Sequence, residues 1–178
     1  MKKGLLILPI LMIFGCAPAA EGQLPPVDPT SYTVKLDAIS SALSTDESTS
    51  AIQVELKAKE DETIVYKLEI GSHCYAKSVD GHQEIVMKSG AYFKSVSSYK
   101  VSRLICDIYE GKGINYEVHN KSDGSGEVLA RHESTIEPEY KEDSGAVYEY
   151  EVNSNEWSIT NTSVYKPSFY SVTIVFEN

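Results

Sequence analysis

Residues 52–70 read IQVELKAKEDETIVYKLEI. In the first half Ile52, Val54, Leu56 and Ala58 alternate with Gln53, Glu55 and Lys57. In the second, Ile64, Tyr66, Leu68 and Ile70 alternate with Thr63, Lys67 and Glu69. Successive side chains of a strand point to opposite faces, so each run buries one face and wets the other. The polar Lys59-Glu60-Asp61-Glu62 between them reads as a turn, and the whole stretch reads as a β-hairpin.

The same period of two extends outward in both directions. Upstream, Tyr32, Val34, Leu36 and Ala38 alternate with Thr33, Lys35 and Asp37, and the Ser/Thr-rich 40–50 segment is a loop. Downstream, strands are expected at His73–Val79, Glu84–Lys88 and Ala91–Val96, the first two joined by an Asp80-Gly81 hairpin turn. Leu104, Cys106 and Ile108 alternate with Arg103, Ile105 and Asp107, which puts Cys106 on an inward face. Further strands are expected at Ile114–His119 and Glu127–Ser134, around the dense turn Asn120–Gly126 (NKSDGSG). Val147–Val152 (VYEYEV), Trp157 with Ile159, and Val172, Ile174 and Phe176 complete the pattern. No amphipathic helix of a dozen residues appears, and Thr, Val and Tyr favour half-buried strands. The fold class is all-β: an antiparallel sandwich of about nine to eleven short strands, with a calycin-like barrel as the alternative.

The first thirty residues have a different chemistry. Lys2 and Lys3 precede an apolar run from Leu5 to Phe14, too short to span a bilayer and suited to a signal peptide. The run ends Ile13-Phe14-Gly15-Cys16, which resembles the lipobox of bacterial lipoproteins. That resemblance covers only the first sixteen residues. It implies cleavage before Cys16 and acylation of its thiol. Ala17, rather than Asp, follows the cysteine, which in that class favours the outer membrane. Residues 1–15 are then the signal peptide. Residues 16–30 are a lipid-anchored tether holding Pro18, Pro25, Pro26 and Pro29, with a reach of about 40 Å. Residues 31–178 form one β domain, long enough for a real core.

The chain carries 26 acidic residues against 16 basic ones, a net charge of −10. Such a surface repels phosphate backbones, which argues against nucleic acid as a partner. With Cys16 in the anchor, Cys74 and Cys106 remain. In an oxidising compartment an even pair reads as a disulfide, worth about 3–4 kcal/mol for this loop.

Immunoglobulin domains offer a comparison that fails in detail. The Cys74–Cys106 spacing is short for that family, no Trp lies between the two, and Leu104 stands where a tyrosine corner needs Tyr. The Gly-x-Trp of lipocalins is absent near the first strand.

Chemistry-bearing patterns are sparse. Gly124-Ser125-Gly126 lies in a polar turn and lacks the context of a nucleophile elbow. His73 and His82 flank the Asp80-Gly81 turn, where they could meet across the hairpin, yet no zinc-type spacing is present. Asn120, Ser122, Asp123 and Glu127 offer oxygens without the order of a calcium loop. Glu149 and Glu151 share one strand face, as exposed pairs commonly do. No metal or cofactor is called for. Amphipathic rings crowd the C-terminal third, and Tyr148, Tyr150, Trp157, Tyr165 and Tyr170 are the candidate binding residues, in competition with a role as core. The sequence therefore reads as a non-catalytic envelope lipoprotein that binds a protein or glycan partner or supports envelope assembly. A small-molecule or lipid carrier with a barrel cavity ranks second, and an enzyme last.

Overall fold

The computed structural model describes residues 31–79, 81–109, 115–133 and 145–177. The expected signal peptide (1–15), Cys16 and the expected tether (16–30) lie outside them. Among the described residues there are twelve strands and no helix. They are β1 (Ser31–Asp37), β2 (Ile52–Lys57), β3 (Val65–Ile70), β4 (Cys74–Val79), β5 (His82–Met87) and β6 (Tyr92–Ser95). There follow β7 (Lys100–Tyr109), β8 (Asn115–His119), β9 (Val128–Glu133), β10 (Gly145–Ser154), β11 (Ser158–Thr160) and β12 (Ser168–Glu177).

The strands form two open antiparallel sheets of six. Sheet I runs β10-β7-β12-β5-β4, and sheet II runs β2-β3-β6-β11-β8-β9. The 52–70 hairpin pairs Ile52 with Ile70 through Lys57 with Val65, in the register its alternation demands. β12 is the spine of sheet I. β7 pairs with it along one side, while β5 (at Ser168 and Phe169) and then β1 (from Ser171 to Glu177) share the other. A strand covered on both sides and both faces needs apolar residues in both registers. Accordingly Val172, Ile174 and Phe176 are buried, and so is Val175 on the other face. The sheets do not close on themselves, so the calycin-like barrel is not formed.

Aromatic rings from sheet II lie against β12 and join the layers. Tyr66 of β3 and Phe176 are 4.9 Å apart between ring centroids, Phe93 of β6 and Phe169 5.5 Å, and Tyr116 of β8 and Phe169 5.3 Å. Fully burying a side chain of this kind contributes about 1.5–3 kcal/mol. Trp157 is completely buried and donates from Nε1 to the Tyr66 hydroxyl at 2.8 Å.

The loop after β1 guards an edge. Ser48 N donates to Cys74 O at 2.9 Å and Ala76 N to Ser44 O at 2.8 Å, so the outer edge of β4 is covered. Glu47 pins the loop by pairing with His73 Nδ1 at 2.6 Å and with the Lys88 ammonium. These two hydrogen bonds, Lys88 first, hold the Glu47 carboxyl below its ordinary range.

Two expectations are corrected here. Cys74 and Cys106 are both buried free thiols. They sit on β4 and β7 of the same sheet, with β5 and β12 between. Three strand spacings of about 4.8 Å separate them by about 14 Å, twice what a disulfide spans. An inward-facing cysteine pair was compatible with a bridge, but strand order keeps the two apart. His73 and His82 also do not meet. Val79 pairs with His82 at the turn, whereas His73 O accepts from Lys88 N at the far end of the hairpin. About six residues of strand, roughly 20 Å, lie between them.

Candidate functional site

Sheet II buries one face and shows the other to solvent. Leu68, Ile70, Phe93, Tyr116, Val118 and Ile159 point inward, so the residues alternating with them point out. Strand pairing arranges these outward residues in two rows. One runs Gln53, Glu69, Lys94, Ser158, His119 across five strands. The other runs Tyr92, Thr160, Glu117, Arg131.

Charges in the rows are matched in pairs. Glu69 accepts from Lys94 Nζ at 2.9 Å and from the Tyr92 hydroxyl at 2.7 Å. The Lys94 hydrogen bond, then that of Tyr92, pulls the Glu69 carboxyl below its ordinary range. In return the carboxylate, helped by partial burial, raises Tyr92 to about 12. Tyr92 is held as a neutral donor. Its ring lies against Gly71, where an added Cβ would approach the ring carbons to 2.7 Å. Lys94 Nζ is 5.1 Å from the ring centroid. On the other flank Glu117 Oε1 accepts from Arg131 Nε at 2.7 Å and Nη2 at 2.6 Å. Its second oxygen is 3.2 Å from His119 Nε2. The His119 side chain is only 7 % exposed, and its Nδ1 has no hydrogen-bond partner among the described residues.

The Asn120–Gly126 turn stands over this surface. Ser158 Oγ donates to Lys121 O at 2.9 Å, and Ser154 Oγ to Asn120 O at 3.3 Å. Asp123 Oδ1 accepts from Ser125 N at 2.9 Å and Ser125 Oγ at 2.7 Å. The carboxylate shapes its own turn, as Asp does where the chain reverses. Gly124 adopts φ +72°, a conformation that costs glycine little. Between turn and sheet lies a groove of about 360 Å³, lined by Tyr92, Lys94, Glu117, His119, Asp123 and Thr160 among others. A second depression of about 460 Å³ continues past Lys94 and Ser122 toward Gln53, Glu69 and Asn155. A groove of this size falls within the range of small-ligand sites.

The aromatic residues singled out from sequence do not form one surface. Tyr148 and Tyr150 of β10 face the same way as their partners Cys106 and Leu104 on β7, against the core. The Tyr150 hydroxyl is 2.5 Å from that of Tyr116. Trp157 is interior. Tyr170 is half-buried, its ring 5.8 Å from His82 and 6.3 Å from Tyr109. Tyr165 alone is well exposed, in the β11–β12 loop, where Asn161 Nδ2 holds its carbonyl at 2.7 Å. As a binding set the five are therefore corrected: strand alternation sends three of them inward. Glu149 is paired with Arg103 at 3.2 Å. Ser125 is exposed and donates to Asp123, with no histidine in the contact.

Tyr92, Lys94, Glu117 and Thr160 went unremarked in the sequence because they are ordinary outward positions of three different strands, whereas Ser122 and Asp123 were weighed there only as oxygens for a calcium loop. Their signal was Asn120–Gly126, read there as a turn. No protein family, curated protein or solved structure matches this chain.

Proposed function

We propose that this chain is an exported lipoprotein whose non-catalytic β domain recognises a partner through the outer face of sheet II. Cys16 carries the lipid, and residues 16–30 hold the domain off the outer membrane, facing periplasm or cell surface. The partner is an envelope protein or glycan, or a component of an envelope assembly. Nucleic acid does not suit a chain of net charge −10. One observation carries the reading: the polar groove under the Asn120–Gly126 turn, whose floor is a rigid sheet and whose charged groups are already oriented by neighbours. Glu69 and Glu117 are each engaged by a cation, a geometry that positions a ligand rather than moves protons.

Cross-linking of the anchored protein in intact cells, followed by mass spectrometry, tests it. A Cys16→Ser chain serves as the mislocalised control. The expected result is an envelope component captured through the 120–126 turn or β6 and lost in the control. Capture independent of Cys16, or only through sheet I, overturns the reading.

A further inference from the structure

We infer that the groove between Tyr92, Thr160 and the Asn120–Gly126 turn binds a neutral, hydroxyl-rich sugar. This rests on the reading of that groove as the recognition face and names its ligand. Three features lead to it.

The first is the unmatched polar capacity. Ser122, Thr160 and Thr162 line the groove, and their hydroxyls make no hydrogen bond among the described residues. Asp123 uses only Oδ1 in its turn. A ligand that both donates and accepts at many points satisfies such a set, whereas an apolar ligand leaves it unmatched. The second is the Tyr92 ring. It packs against Gly71, is tied by its hydroxyl to Glu69, and has the Lys94 ammonium 5.1 Å from its centroid. An ordered ring with a polar tip suits the C–H face of a pyranose, because it presents apolar surface without a loss of side-chain freedom on binding. The third is charge. Lys94 and Arg131 are already taken by Glu69 and Glu117, and Lys121 lies within electrostatic reach of Asp123, so the cations here already face carboxylates. Uronates, phosphates and anionic headgroups gain nothing there.

The test uses the full mature chain with Cys16→Ser, labelled with nitrogen-15. It is titrated separately with maltoheptaose, cellotetraose, chitotetraose and, as the anionic counterpart, tetragalacturonate. At least one neutral oligosaccharide is expected to shift amide resonances of β6, β11 and 120–126 in a saturable way, and tetragalacturonate to shift none. Asp123→Asn and Thr160→Val each weaken that binding by about tenfold, the loss of one hydrogen bond to a charged or well-placed group, at an unchanged unfolding midpoint. Tyr92→Phe keeps the ring and retains most of the affinity, while Tyr92→Ala loses it. Silence of the groove toward all three neutral sugars, or preference for tetragalacturonate, overturns the inference. If a protein is then cross-linked through the same turn in cells, the recognition face stands and only the sugar falls; if nothing is captured there, both fall.

Discussion

The indole Nε1 of Trp157 donates to the hydroxyl of Tyr66 at 2.8 Å, joining residues 91 positions apart inside the core. Tyr66 Oη lies 2.8 Å from Ser95 Oγ, which itself donates to Ser97 O at 3.1 Å. With the Ser95 proton on that carbonyl, Tyr66 donates to Ser95. The three side chains form a hydrogen-bonded chain from Trp157, just before β11, through β3 to β6. Burial also pushes the Tyr66 hydroxyl above its ordinary range.

Tyr66→Phe therefore strands the indole N–H in an apolar interior. The expected cost is about 1–3 kcal/mol, the desolvation penalty of one unmatched buried donor. At this chain length that lowers the Tm by about 2–12 °C. Trp157 is the only tryptophan, so its fluorescence reports the transition directly. The native emission stays blue in the variant because packing, not the hydrogen bond, keeps the ring dry. An unchanged Tm would mean that the bond contributes nothing net, and a red-shifted native spectrum would mean that it, rather than packing, holds the indole in place.

Much of the sandwich was legible from alternation alone, for a local reason. Residues 52–70 specify a hairpin because each strand has one apolar face and the turn between them is short. The same logic placed Val172, Ile174 and Phe176 inward. Strand order was not legible, since β7 against β12 and β6 against β11 are pairings between segments distant in sequence. That gap explains both main misreadings. Cys74 and Cys106 were each correctly read as facing inward or lying within strands, yet only the order of sheet I shows two strands between them. The groove residues are likewise scattered over β6, β8, β11 and the 120–126 turn, and adjacency alone turns Tyr92, Thr160 and Glu117, with Arg131 of β9 beyond them, into a row. Trp157 illustrates a further limit. A lone tryptophan beside a strand suits a binding face and a core equally well by composition, and its partner Tyr66 lies in another hairpin.

The two thiols give a second prediction. Burial raises Cys74 to about 12 and pushes Cys106 higher still. The thiolate is the reactive form, so both are inert while the fold persists. In a Cys16→Ser chain purified without reductant, a thiol-specific chromogenic reagent is expected to count no thiol in the native protein and two in denaturant. No thiol in denaturant would reveal an intramolecular disulfide and contradict the strand order of sheet I. One fast-reacting thiol under native conditions, lost in Cys74→Ser, would show that the β4 edge is not covered by the 44–48 segment, and two would show that sheet I itself opens.

The contact between Tyr92 and Glu69 makes stability depend on pH in two opposite ways. Tyr92 titrates near 12 in the fold against 10.0 when free. The folded chain thus keeps that proton longer than the unfolded one. The contribution is complete below about pH 10 and fades as pH rises toward 12. Glu69 is shifted the other way, to below the 4.5 of a free carboxyl of this kind. Its contribution is present above about pH 4.5 and is lost as pH falls through the lower folded value. Glu69→Gln removes both effects by deleting the charge. The stability difference between wild type and this variant is therefore expected to be level from about pH 5 to 9.5 and to shrink at either end. Its size is modest, because the Lys94–Glu69 pair is partly exposed and salt screens it. In parallel, the absorbance change of tyrosine ionisation shows one group titrating near 12 in wild type and returning toward 10 in the variant. Urea midpoints across pH, read beside the tyrosine absorbance, check the two arms independently. A difference that stays constant from pH 3 to 12 would mean that Tyr92 and Glu69 do not share a proton-dependent contact. A flat tyrosine spectrum with a retained acid arm would assign the pairing to Lys94 alone.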